Sequence, residues 1–171
     1  MHDKLKHIRL LLLDVDGVMT DGGIIYDGSG LETKRFNVKD GHGIKMLQRH
    51  GVEVGIITGR TSRCLELRAK NLGIELLYQG VHDKARAFAE LVAARSLTPV
   101  ATAYMGDDVV DLPVLLRCGL ALSVPDAPLL VKQHADYVTR ARGGHGAARE
   151  ICELIMHAQG TLAAQLDSYL R

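Results

Sequence analysis

The segment Ile8–Leu13 is short, apolar apart from Arg9, and runs straight into Asp14 and Asp16. An apolar run that ends abruptly on charge and glycine marks a strand buried on both faces of a parallel sheet. The pattern recurs at Val52–Ile57, Glu75–Tyr78, Val100–Met105 and Leu120–Val124, with stretches of helical period between, as at Ser62–Leu72 and Lys84–Arg95. Strand alternating with helix predicts right-handed crossovers and an α/β fold: a doubly wound, mostly parallel, Rossmann-like sheet with helices on both faces. The ligand site of such a sheet lies at the carboxyl ends of its strands. At 171 residues, one domain over residues 1–171 accounts for the chain.

One stretch breaks the alternation. Between the first strand and Gly41 lies GGIIYDGSGLETKRFNV, two extended runs around Asp27-Gly28-Ser29-Gly30, which predicts a β-hairpin over about residues 23–38. It is too short for a separate cap domain. Ile24, Ile25, Tyr26, Leu31 and Phe36 would be costly to leave in water on a projecting arm, so a partner subunit is expected there. Residues 147–171 read as one terminal helix with a frayed end.

A net charge of +1 gives no general attraction to nucleic acid or to a membrane surface, so any anion site must be local. The run Leu10–Leu13 is far short of the roughly 20 apolar residues that span a bilayer. Three cysteines, Cys64, Cys118 and Cys152, show no CxxC spacing, and with no secretory leader they suggest reduced thiols. The expectation is a cytoplasmic protein with a small-molecule substrate and no nucleic-acid or membrane partner.

Asp14 and Asp16 directly follow the first strand, so a rigid element delivers them to the ligand-binding edge of the sheet. Residues i and i+2 of an extended chain point the same way, and two converging carboxylates need a cation or a proton. Mg²⁺ suits them, being a hard ion that prefers oxygen ligands. A second acidic cluster, Gly106-Asp107-Asp108-Val109-Val110-Asp111, follows the predicted strand Val100–Met105 and reaches the same edge. Ile57-Thr58-Gly59-Arg60 ends another strand, where a hydroxyl and free backbone N–H groups can hold a phosphate oxygen. Lys84 opens a helix, where a cation opposes the helix dipole and therefore serves another purpose.

In chain order DVDGVMTDG, ITGR, Lys84 and GDDVVDLPVL resemble the four signature motifs of the haloacid dehalogenase-like phosphatases, over Asp14–Leu115. Within that superfamily, TDG at Thr20–Gly22, the hairpin in place of a cap, FNVKDGHG at Phe36–Gly43 and GGHGAARE at Gly143–Glu150 resemble the capless 3-deoxy-D-manno-octulosonate 8-phosphate phosphatase subfamily. The resemblance implies a Mg²⁺-dependent phosphomonoesterase acting on that sugar phosphate, in lipopolysaccharide precursor synthesis of Gram-negative bacteria. It also implies a homotetramer whose hairpins associate and whose neighbouring subunits complete each site. Carried onto this chain, it makes Asp14 the nucleophile that becomes an aspartyl phosphate. Asp16 is then the acid for the leaving alkoxide and afterwards the base for water, while Thr58 and Lys84 hold phosphoryl oxygens. Mg²⁺ would take the Asp14 side chain, the Asp16 backbone carbonyl and Asp107, with Asp108 a neighbour and Asp111 a support for Lys84 or a helix cap.

Recognition of the sugar needs further residues beside Asp16 and Lys84. Arg60 and Arg68 lie roughly two turns apart after Thr58 and can present guanidinium forks to a carboxylate or hydroxyls. The segment Asn37, Val38, Lys39, Asp40 and Gly41 resembles the subfamily's substrate-contacting loop. Gly143, Gly144 and Gly146 read as a flexible loop near a ligand or a C-cap turn, and His145 stands where the family often has lysine. Two other functions fit parts of the pattern: a phosphatase for a nonulosonate 9-phosphate, and a phosphoacceptor module of the response-regulator type. An acid two residues after the nucleophile and the hairpin argue against the second.

Overall fold

Leu10–Leu13 form a central strand of a parallel sheet in the computed structural model, which describes residues 1–171. All four leucines have no exposed surface, because helices cover both faces of the sheet. In chain order the elements are α1 (His2–His7), β1 (Leu10–Leu13), β2 (Ile25–Tyr26), β3 (Glu32–Thr33), α2 (Val38–Arg49), β4 (Glu53–Ile57), α3 (Arg63–Leu72) and β5 (Leu76–Tyr78). There follow α4 (Lys84–Ala94), β6 (Thr102–Met105), α5 (Leu112–Leu115), β7 (Leu120–Ser123), α6 (Leu129–Gln133), β8 (Tyr137–Val138), α7 (Ala147–Ala158) and α8 (Leu162–Asp167).

The main sheet has the order β5-β4-β1-β6-β7-β8 with every neighbouring pair parallel, and β2 and β3 form a separate antiparallel pair. This is the doubly wound α/β architecture expected from the strand pattern, without a separate cap. The chain builds outward from β1 through β4 to β5, then returns to the other side of β1 for β6. That reversal opens a crevice beyond the carboxyl end of β1. The register sets Leu13 level with Ile56 and Met105, so the loops after β1, β4 and β6 emerge together.

Three expectations are corrected. Phe36–Gly43 is not a loop: Asn37 caps α2, its side chain accepting from the backbone N–H groups of Lys39 at 2.8 Å and Asp40 at 3.4 Å. Two glycines in the first turns, Gly41 and Gly43, hide this helix, since glycine lowers helix propensity by about 1 kcal/mol. Both are demanded by packing: a Cβ on Gly43 would press on Arg149 of α7, and one on Gly41 on Arg68 and Leu72 of α3. The C-terminal segment is not one helix, because α7 ends at Ala158 and Gly160 turns the chain with φ of +73° before α8. In the hairpin, Ile24, Ile25, Tyr26 and Leu31 are exposed, but Phe36 is half-buried under Arg68, whose guanidinium carbon lies 5.7 Å from the ring centroid.

Candidate active site

The amide of Asp14 donates to the Met105 carbonyl at 2.9 Å, extending the β1–β6 ladder by one residue and fixing where its side chain starts. Asp14 is buried, with 6 % of the residue exposed. Its Oδ2 meets Lys84 Nζ at 3.0 Å, and its Oδ1 is buried with no partner at all. Burial first, and then the charge of Asp111, push this carboxyl up to about 6.

Lys84, at the start of α4, is itself 5 % exposed and reaches Asp111 Oδ1 at 2.6 Å. Burial alone would push its pKa down; the charges of Asp14 and Asp111 outweigh burial and hold the ammonium above its ordinary value. Asp111 is fully buried and saturated. Its Oδ1 also accepts from the Tyr104 hydroxyl at 2.6 Å, and its Oδ2 accepts from the backbone N–H groups of Asp107 at 3.0 Å and Asp108 at 3.1 Å. It therefore orients Lys84 and the turn after β6 at once.

Oxygens of Asp14, Asp107 and Asp111 come within 4.8 Å of one another. Burial, then the charges of Asp14, Asp111 and Asp108, push the Asp107 carboxyl up to about 7. With Asp111 saturated, Asp14 and Asp107 are the pair that asks for a cation, and the orphaned Asp14 Oδ1 is the atom that shows it. An all-carboxylate donor set suits Mg²⁺. Asp16 offers no carboxylate oxygen to this cluster, and Asp108 turns its Oδ1 to the backbone N–H of Val109 at 2.7 Å. Gly17, with φ of +88°, lets the backbone pass so close to Asp107 that a Cβ would fall on its carboxylate.

Asp14, Asp16, Thr58, Arg60, Lys84 and Asp107 all line one cavity of about 420 Å³, together with Gly22, His82 and Asp108. Thr58 is held on both sides, its N–H donating to Tyr78 at 2.9 Å and its carbonyl accepting from Val81 at 3.0 Å. Arg60 donates to Glu32 Oε2 at 2.5 Å and to the Tyr26 hydroxyl at 3.1 Å, so the hairpin borders the cavity. Tyr26 and Glu32 are cross-strand partners, which places both on the hairpin face that meets Arg60.

The remaining candidates sit elsewhere within the chain. Arg68 does not share the cavity with Arg60; it donates to the Asn37 carbonyl at 2.9 Å and covers Phe36. Arg60 precedes α3, so the two arginines are not on one helix face. Asp40 is buried, accepting from the N–H groups of Arg149 at 2.8 Å and Gly146 at 3.3 Å, where it caps α7. Val38 and Lys39 are exposed, and Gly41 lies under Arg68. The GGHG segment is neither a C-cap nor a free loop: it leads into α7 and packs Gly143 against the Gly17 carbonyl, with Gly144 donating to Val18 at 3.0 Å. His145 borders a second cavity of about 320 Å³, which Asp107 also lines. Tyr104, Glu32, Lys34 and His82 were not singled out by the sequence; alternation in Glu32-Thr33-Lys34 is the signal that sets two of them on one face.

A profile of haloacid dehalogenase-like hydrolases matches residues 68–151. The 3-deoxy-D-manno-octulosonate 8-phosphate phosphatase of Yersinia pestis is 51 % identical over 159 residues, covering 93 % of this chain and 85 % of the relative. The crystal structure of the Moraxella catarrhalis phosphatase of that name, in complex with magnesium ion, phosphate ion and a KDO molecule, matches with a TM-score of 0.97 at 42 % identity, over 98 % of this chain and 97 % of that one. The cobalt-bound Haemophilus influenzae phosphatase matches with a TM-score of 0.93 at 41 % identity, over 98 % and 99 % of the two chains. With likeness of this degree along nearly its whole length, the chain belongs to the 3-deoxy-D-manno-octulosonate 8-phosphate phosphatase family of haloacid dehalogenase-like hydrolases.

Proposed function

We propose that this protein is a Mg²⁺-dependent phosphomonoesterase that hydrolyses 3-deoxy-D-manno-octulosonate 8-phosphate to the free sugar acid and inorganic phosphate. The observation that carries the reading is Asp14: a buried carboxylate at the end of β1, one oxygen on Lys84 and the other unpaired, in a cavity shared with Asp16, Thr58 and Asp107. The Moraxella relative, bound to magnesium, phosphate and KDO, supports the same substrate class.

Asp14 attacks phosphorus and forms the acyl phosphate as the bond from phosphorus to the sugar oxygen breaks, and Asp16 gives its proton to that oxygen. Water then attacks the acyl phosphate, Asp16 takes its proton, and Asp14 is regenerated. Lys84 and the Thr58 hydroxyl hold the phosphoryl oxygens, a preorganised clamp in a largely buried site, while the Thr58 backbone is fixed by Tyr78 and Val81. Mg²⁺, held by Asp14, Asp107 and the Asp16 carbonyl, would supply the charge that lets a dianionic phosphate approach a carboxylate. Arg60, beside Asp16 on the cavity wall, is available to the leaving group, and Glu32 is the partner it must share with substrate. Neither Arg68 nor the first turn of α2 at Val38–Lys39 reaches the cavity of its own chain, so the sugar contacts that the resemblance implies for them would be made in a neighbouring subunit. The exposed apolar residues of the hairpin support self-association; the family resemblance is what supports a homotetramer, a cytoplasmic location and a single domain over residues 1–171.

Phosphate release from a panel of esters tests this. With Mg²⁺, octulosonate 8-phosphate should have the highest kcat/KM, above nonulosonate 9-phosphates and hexose phosphates, and Asp14→Asn should lower it by about a thousandfold or more. No release from any sugar-acid phosphate, or undiminished turnover by Asp14→Asn, overturns the reading; preference for a nonulosonate overturns only the substrate.

A further inference from the structure

We infer that Lys34 is a positioning residue for Asp16: its buried ammonium binds one oxygen of the Asp16 carboxyl and so puts the transferable proton on the other, the oxygen left for the cavity. This rests on the reading of Asp16 as the acid of a phosphomonoesterase.

The Lys34 side chain is 2 % exposed, and a lysine so buried is kept only by partners. It has two: Asp16 Oδ1 at 2.5 Å and Glu32 Oε1 at 3.2 Å. Glu32 in turn accepts from Arg60 at 2.5 Å, and Arg60 Nε stands 3.8 Å from Asp16 Oδ2. The four side chains form a ring of alternating charge that ties the hairpin to the loop after β1.

The ring treats the two oxygens of Asp16 differently. An ammonium has three donors and no acceptor, so an oxygen bonded to it cannot carry a proton pointing the same way. While Lys34 holds Oδ1, Oδ2 is the oxygen with both lone pairs free of the ammonium, and the proton of the acid form is placed there. Nothing takes that proton within the chain: Arg60 Nε is also donor-only and lies beyond hydrogen-bond reach at 3.8 Å. Asp16 lines the cavity and Lys34 does not, so the carboxyl stands between the ammonium and the substrate. As the phosphorus–oxygen bond breaks, the proton passes from Oδ2 to the sugar oxygen; when water attacks, Oδ2 receives a proton, and Oδ1 stays on Lys34 throughout. Without Lys34 the carboxyl turns about its soft terminal torsion and divides the proton between two oxygens, only one of which is placed for transfer.

The test uses two esters with different needs for an acid. A sugar alkoxide leaves poorly unless protonated, whereas the nitrophenolate of p-nitrophenyl phosphate leaves with little help. Rates on octulosonate 8-phosphate and p-nitrophenyl phosphate are measured on one preparation each of wild type, Lys34→Met, Lys34→Arg and Lys34→Gln. Lys34→Met should lower the alkyl-to-aryl ratio of kcat by about 30-fold or more, within the range general acid catalysis spans. Arginine, donor-only, should restore the ratio to within about threefold, and glutamine, which can accept a proton from Oδ1, should not. In an Asp16→Ala background Lys34→Met should change the ratio no further. Equal loss on both esters, an unchanged ratio, rescue by glutamine as good as by arginine, or a further fall in the Asp16→Ala background overturns the role of Lys34 alone. If wild type releases phosphate from neither ester, the phosphatase reading itself falls, and this role with it.

Discussion

Replacing Asp107 by asparagine should stabilise the metal-free protein at pH 8 while abolishing its response to Mg²⁺. The folded protein raises this carboxyl from 3.8 to about 7, through burial and the charges of Asp14, Asp111 and Asp108. A carboxyl with a raised folded pKa holds its proton to higher pH in the fold than in the unfolded chain. Stability is therefore lost as pH climbs from about 4 to about 7. Ionising Asp107 in the fold at pH 8 costs about 4 kcal/mol by that difference. Water at the cavity mouth screens a partly exposed side chain, and about 2 kcal/mol is the expectation to test. In a chain of this size that is a rise in Tm of about 4–8 °C. At pH 5 Asp107 is already protonated in the fold, so the gain should shrink to less than about half. Thermal melts by circular dichroism in EDTA at the two pH values give the numbers, and repeat melts with excess Mg²⁺ show whether wild type gains stability that Asp107→Asn does not. A lower metal-free Tm for Asp107→Asn at pH 8, or an equal gain at both pH values, would refute the idea that repulsion at Asp107 is held in check by a cation.

Asp111→Asn keeps the shape of a side chain whose oxygens face two pairs of donors, yet asparagine has only one acceptor oxygen. It should cost about 2–4 kcal/mol, read as a lower urea midpoint with an unchanged m value; an unmoved midpoint would contradict the saturation of Asp111. Gly17→Ala places a methyl on the Asp107 carboxylate at a φ of +88°, so Mg²⁺ affinity by calorimetry should weaken about tenfold or more; an unchanged Kd would show that Asp107 is not a ligand. Ile25→Asp puts charge on a residue 49 % exposed in the single chain, so it should leave the fold intact and shift light scattering toward monomer; an undisturbed assembly would remove the hairpin from the interface.

The strands and the carboxylates at their ends were legible because a strand buried on both faces is predominantly apolar and free of charge, and its end shows as a sudden change of composition at Leu13–Asp14 and Met105–Asp107. What lay hidden depends on contacts between distant segments. The helix from Val38 was masked by glycines whose reason is Arg149 and Arg68, both far along the chain. Asp40 has the same look as a ligand-binding acid, but the N-terminus of α7, more than a hundred residues later, claims it. Arg60 and Arg68 read as a pair from their spacing, and the start of α3 at Arg63 separates them. Lys34 looks like an ordinary charge on an edge strand until the fold puts Asp16 against it.

The hairpin that stands in place of a cap presents two different faces. Cross-strand neighbours Tyr26 and Glu32 share the face that meets Arg60, and Lys34, two residues beyond Glu32, continues that face to Asp16. Ile24, Ile25 and Leu31 leave apolar surface outside. A two-stranded ribbon with two-residue strands is marginal by itself in water. Its order comes from the ion pairs at its inner face and from whatever covers its outer one. Burying the outer face in an assembly would reduce the hairpin's freedom, and the same backbone carries Lys34 and Glu32. Association would thus steady the Asp16 carboxyl without a single new contact to it, so loss of assembly should lower the alkyl-to-aryl ratio of kcat in Ile25→Asp at saturating substrate, where lost sugar contacts show in KM instead. An unchanged ratio would separate the roles of the two faces and show that the inner ion pairs alone hold the acid.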